Sequence, residues 1–151
     1  MFSLFVYGVF EVVIVGLRVA DAANEREDIR LQLASSFELL TREAAAAYNV
    51  DNSTSTRFQF DSRIADNNGD GNSENMTNIN WRVQNGDLER VQGGVTTTMI
   101  PDLTSCTFSY LDSSGVATNT ANNVRVMQVV ATATREGEVI SMASAVRTRN
   151  Q

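Results

Sequence analysis

Phe2 to Leu17 reads FSLFVYGVFEVVIVGL, apolar around the whole circumference of a helix apart from Glu11. From Arg18 the pattern becomes amphipathic. Ile29, Leu33, Phe37, Leu40, Ala44 and Ala47 recur at the three-to-four spacing of one helical face. The run LQLASSFELLTREAAAA contains no glycine or proline. Asp21, Glu25, Arg26, Glu27, Asp28, Arg30, Glu38, Arg42 and Glu43 are expected to face outward, with Glu38 and Arg42 as a supporting i,i+4 pair. One long helix is predicted, ending near Tyr48-Asn49, where NVDNSTST reads as a loop. A helix apolar all round suits lipid or a bundle of like helices, whereas an amphipathic one suits a sheet on one side.

Downstream the period changes from 3.6 to 2. RFQFDSRI and TNINWRV alternate, and Asn85-Gly86 is a type I′ hairpin signal leading into DLERV. GVTTTMIPDL passes through Pro101 into SCTFSYLD, and Asp112 to Gly115 forms the next turn. The last two strands, NVRVMQVVATATRE and EVISMASAVRTR, meet at Glu136-Gly137. Local connections of this kind predict an antiparallel meander with one face covered by the helix. The fold class expected is therefore α+β, a long N-terminal helix packed on an antiparallel β-sheet head. Its parts are an apolar segment at residues 1–17, an amphipathic helix at 18–48 and the β head at 49–151.

Composition narrows the function classes. The 151 residues carry a formal charge of −6, all twelve basic residues are arginine, and histidine is absent. Without clustered positive charge, nucleic acid is not an expected partner. Without histidine, the commonest general base and transition-metal ligand is missing. The single cysteine, Cys106, sits in the alternating CTFSYLD and reads as a half-buried strand thiol. No nucleophile–base set, phosphate-binding glycine loop or paired acid in an apolar strand is evident, so no enzymatic activity is expected.

Three stretches offer candidate chemistry. Glu11 is an ionisable group inside an apolar helix, where desolvation is costly and a partner is expected. It reads either as a carboxylate paired with a neighbouring subunit's N-terminal ammonium, fixing axial register, or as a protonated glutamate near a membrane interface. Asp66-Asn67-Asn68-Gly69-Asp70-Gly71 fits the first half of a calcium loop, with oxygen ligands at alternating positions and glycine at the sharp turn. Asp66, Asn68, Asp70 and Glu74 would be the ligands; the other reading is a solvated Asx/Gly turn. No cofactor is required, and calcium is the one ion for which a loop is offered. Asn52 in Asn-Ser-Thr and Asn75 in Asn-Met-Thr are glycosylation sequons, both in stretches predicted as loops.

The order of these elements resembles the type IV pilin and pseudopilin superfamily. The succession FQFDSRIADNNGDG, INWRVQNGDLERVQGG, FSYLDSSG, NNVRVMQVVATATREGE and AVRTRN is most similar to J-type pseudopilins of type II secretion and W-type minor pilins. FSLFV resembles the family's opening but places Val6 where glutamate is expected. Counting from Glu11 makes Tyr7 the first mature residue and Val6 the one before the cut, where the family has glycine. The resemblance implies a structural subunit of a type IV pilus or type II secretion filament, assembled by N-terminal helix bundling after leader cleavage and N-methylation. It implies other pilin or pseudopilin subunits as partners, a membrane-anchored state before assembly, and a head outside the cytoplasm in an extracellular or periplasmic filament. The alternative expectation is a membrane-tethered or secreted calcium-dependent adhesion module.

Overall fold

The computed structural model describes the backbone of residues 2–65, 73–135 and 137–149, and the side chains of 23–63, 75–135 and 137–149. Helix α1 runs Phe2–Ala45, 44 residues without a break. Its described buried residues begin at Ile29 and continue through Leu33, Ser36, Phe37, Leu40, Glu43 and Ala44, the stripe expected from the spacing with two polar additions. The helix stops short of Tyr48-Asn49. The Ala46 amide folds back onto the Glu43 carbonyl at 3.2 Å, and the Arg63 amide donates to the Ala46 carbonyl at 3.0 Å. These bonds tighten and satisfy the helix end.

Among the described residues eight strands follow. Strands β1 (Ala47–Thr54), β2 (Arg57–Ala65), β3 (Ser73–Gln84), β4 (Asp87–Gln92) and β5 (Val95–Ile100) form one antiparallel meander in sequence order. Strands β6 (Ser105–Leu111), β7 (Val126–Arg135) and β8 (Glu138–Arg147) form a second. The expectation of an α+β chain with its helix on a single antiparallel head is thus corrected. Among the described residues the fold is mostly β, in two sheets, with one helix packed against β2 and β5 of the first and β7 and β8 of the second.

Residues 101–104 cause the split. Pro101 has no amide to continue the ladder and Asp102 takes a φ of 51°, which turns the chain. The Leu103 amide then donates to the Gly86 carbonyl at 2.7 Å in the first sheet, and the Thr104 amide to the Thr132 carbonyl at 2.8 Å in the second. Two consecutive amides join the two sheets.

Strand β1 is the second correction, because NVDNST of the predicted loop NVDNSTST belongs to it, and Ser55-Thr56 form the turn to β2. Its pairing with β2 shifts register twice, between Ala47 and Asn49 and between Val50 and Asn52. Each bulge offsets the side-chain alternation. Ala47, Val50 and Ser53 therefore point inward at every third position, and the period-2 signature is lost.

The core is shared by all layers. Leu33, Phe37 and Leu40 meet Phe58, Phe60, Ile79 and Trp81 from the first sheet and Phe108, Met127 and Val129 from the second. Phe58 and Phe60 lie with ring centroids 4.5 Å apart, and Phe58 and Tyr110 with theirs 5.6 Å apart across the sheet boundary.

Candidate functional site

The helix–head junction is the most elaborate polar arrangement among the described side chains. Trp81 on β3 and Arg90 on β4 are directly opposite in the ladder, so both side chains reach the same point above the sheet. That point is the Glu43 carboxylate. Trp81 Nε1 donates to Oε2 at 2.8 Å, and Arg90 donates to Oε1 through two nitrogens at 2.6 and 2.9 Å. Arg90 Nε also lies 3.1 Å from Oε2, and Arg90 donates to Gln92 Oε1 at 2.6 Å. The Ser62 hydroxyl donates to the Glu43 backbone carbonyl at 2.9 Å. Glu43 is 1% exposed, which corrects its expected place on the outward face. A buried charge needs such pairing. Both carboxylate oxygens are engaged by donors, which suits a clamp rather than a proton-transfer group.

Two further contacts extend the junction. The Ser36 hydroxyl donates to the Met99 carbonyl on β5 at 3.3 Å. Arg26 Nε sits 3.0 Å from Glu138 Oε2 on β8, in ion-pair rather than aligned hydrogen-bond geometry, and Arg30 lies 3.7 Å from Oε1.

The boundary between the sheets away from the 101–104 crossover is held by β6. Tyr110 Oη lies 2.7 Å from the Arg57 carbonyl and 3.0 Å from the Thr54 carbonyl, so its proton serves the turn between β1 and β2. The Phe108 amide donates to the Ser55 carbonyl in that turn at 2.9 Å. Burial pushes the Tyr110 phenol well above its ordinary pKa and the Cys106 thiol up to about 12. Cys106 is 5% exposed, more deeply placed than the half-buried strand thiol expected. A thiol so shielded has little thiolate character near neutral pH.

The side chain of Glu11 lies outside the described residues. Asp66, Asn68 and Asp70 lie outside them too; Glu74 belongs to β3, with its side chain undescribed. Among the described residues no group of acidic, histidine or cysteine side chains is placed to hold a metal ion. The sequon residues Asn52 and Asn75 lie on strands β1 and β3, which corrects their expected place in loops; Asn75 is exposed and Asn52 half-buried. Among the described residues no helix is long and apolar enough to cross a membrane.

Among the described residues, two hollows mark the head surface. One of about 710 Å³ lies between β1 and β6, lined by Asp51, Ser53, Ser109 and Gln128 over Phe108 and Tyr110. Another of about 480 Å³ lies beside the end of α1 and is lined by Ala46, Tyr48, Arg63, Asn75 and Arg149. No protein-family model matches the chain, and no curated protein does.

Proposed function

We propose that this chain is a structural subunit of a pilin-like filament, assembled through its N-terminal helix. The observation that carries this reading is the length of α1 relative to its grip on the head. The helix runs Phe2–Ala45, and among its described side chains, which start at residue 23, burial against the head runs from Ile29 to Ala44. The early part of that helix, residues 2–17, is apolar on all sides by sequence apart from Glu11, and such a surface is matched by lipid before assembly and by like helices after it. The Glu43 clamp supports the same reading, since a subunit held by its helix needs that helix fixed to its head.

Within this proposal, Glu11 sets axial register by pairing with a neighbouring subunit's N-terminal ammonium. The order of strand motifs supports a minor component of the pseudopilin or minor-pilin kind, with the head outside the cytoplasm. The test is recovery of the chain in filaments sheared from its native host. Wild-type chain should be present, and Glu11→Ala should deplete it from filaments while the cellular amount is unchanged. Full incorporation of Glu11→Ala would overturn the register role. Absence of wild-type chain from every filament fraction would overturn the filament reading.

A further inference from the structure

The hollow beside the end of α1 brings two guanidinium groups to one concavity on an acidic chain. Arg63, near the end of β2, and Arg149, beyond β8, both line it, together with the Tyr48 phenol and the Asn75 amide. Asn75 is the direct ladder partner of Arg63, which fixes that side of the rim. Tyr48 is 41% exposed and contributes an aromatic ring with a phenol to the lining.

Among the described residues that line it, none is acidic. Among the described residues, neither Arg63 nor Arg149 makes an ion pair or a side-chain hydrogen bond. Among the described residues Arg42, Arg57 and Arg147 share that state, whereas Arg82 pairs with Glu89, Arg90 with Glu43, Arg26 and Arg30 with Glu138, and Arg125 and Arg135 donate to backbone carbonyls. In a chain with 18 acidic and 12 basic residues, carboxylates outnumber their partners. Two like charges sharing a concavity repel, and the partial negative charge at the end of α1, about half a unit, offsets only part of that. A low-dielectric concavity lined by one sign of charge focuses its field on the opposite charge.

We infer that this hollow is an oxyanion-binding site. Arg63 and Arg149 supply planar, permanently charged donor forks that match a carboxylate or phosphate, while Tyr48 and Asn75 add neutral donors. Its volume of about 480 Å³ admits a group of that size with its immediate attachment. The ligand is a free inorganic oxyanion or a carboxylate carried by an acidic peptide; the donors are the same for both. The site would also make use of the Asn75 amide, so a glycan on Asn75 and an anion in the hollow are competing occupants.

The experiment uses the full-length chain in detergent. Arginine Nε–H signals are followed by NMR during two titrations, one with sodium phosphate and one with an acetylated triglutamate peptide, at constant ionic strength. Saturable shifts of the Arg63 and Arg149 signals are expected in at least one arm, and the arm with the tighter response identifies the source. Arg63→Gln and Arg149→Gln should each weaken binding about 10-fold or more, the effect of losing a charge-assisted contact. Arg147→Gln, an exposed arginine that does not line the hollow, should leave it unchanged. Non-saturable shifts in both arms would overturn the site, as would equal weakening by Arg147→Gln. Binding that emerges only in an Asp66→Asn/Asp70→Asn/Glu74→Gln background would also overturn it, by showing that the chain's own carboxylates fill the hollow.

Discussion

The Arg90 guanidinium closes on the Glu43 carboxylate at 2.6 and 2.9 Å, joining the last turn of the helix to the middle of the first sheet. Arg90 is itself mostly buried, and Glu43 is almost fully so. Removing one member of such a pair leaves the other charged and unpartnered, at a cost of about 3–5 kcal/mol. Urea denaturation of Glu43→Ala and Arg90→Ala should show losses of that order. The double variant Glu43→Met/Arg90→Leu should recover a large part, because neither charge is then stranded. Equal stability of the single variants and the wild type would mean that the clamp contributes nothing.

Tyr110→Phe tests the seam at β6. The variant keeps the ring among Phe58 and its neighbours and removes only the donor to the Arg57 and Thr54 carbonyls. A loss of about 1 kcal/mol is expected. Amide exchange should localise it: the Phe108 amide, bonded to Ser55, should exchange faster, while amides at the β7–β8 ladder change only by the global amount.

Alkaline pH should destabilise the fold through Cys106 and Tyr110. Both groups have raised pKa values in the folded state, so their neutral forms are favoured there. The unfolded chain releases these protons first, starting near the ordinary thiol value of about 8.5. Folded stability is therefore intact below that pH and falls as pH rises toward the folded thiol value of about 12. Urea midpoints measured from pH 8 to 11 should decline, and Cys106→Ala should lessen the slope. In the same range of conditions, alkylation of Cys106 should be slow in native protein at pH 8 and rapid in denaturant.

Gly86 occupies the second position of the β3–β4 turn with a φ of 88°. An added Cβ would sit 3.6 Å from the Leu103 carbonyl, an ordinary contact, so the cost of Gly86→Ala is backbone strain rather than collision. About 1–2 kcal/mol is expected. Gly86→Asn should be milder, since asparagine tolerates the left-handed region. Thermal melts of the two variants give the comparison.

The sequence is legible where local chemistry and period agree. Asn85 and Gly86 take φ values of 55° and 88°, as the type I′ signal demands. Asp112 caps its turn by accepting from the Ser114 and Val116 amides, and Cys106, Phe108 and Tyr110 alternate inward as the spacing predicts. Strand β1 is illegible because its two bulges change the period. Glu43 is a subtler miss. Its position three residues after Leu40 lies on the buried stripe, but its charge argues for solvent, and its partners are 38 and 47 residues away. The same distance problem hides the second sheet: Pro101 signals a break, yet only long-range bonds from Leu103 and Thr104 decide where the chain goes next. The Arg63–Arg149 hollow is likewise assembled from β2 and the end of the chain, beyond the reach of any local motif.

The helix touches both sheets, and its attachments are spread along its second half: Arg26 and Arg30 at β8, Ser36 at β5, Glu43 at β3 and β4. Mechanically, a pull on the Phe2 end would reach the second sheet first, then the first sheet, with the Glu43 clamp farthest from the point of loading. The core beneath Leu33, Phe37 and Leu40 is common to both sheets. Extracting the helix would therefore strip the shared core from both sheets at once and leave the seam to the 101–104 crossover and the Tyr110 and Phe108 bonds of β6, making the helix a tie rod between two plates.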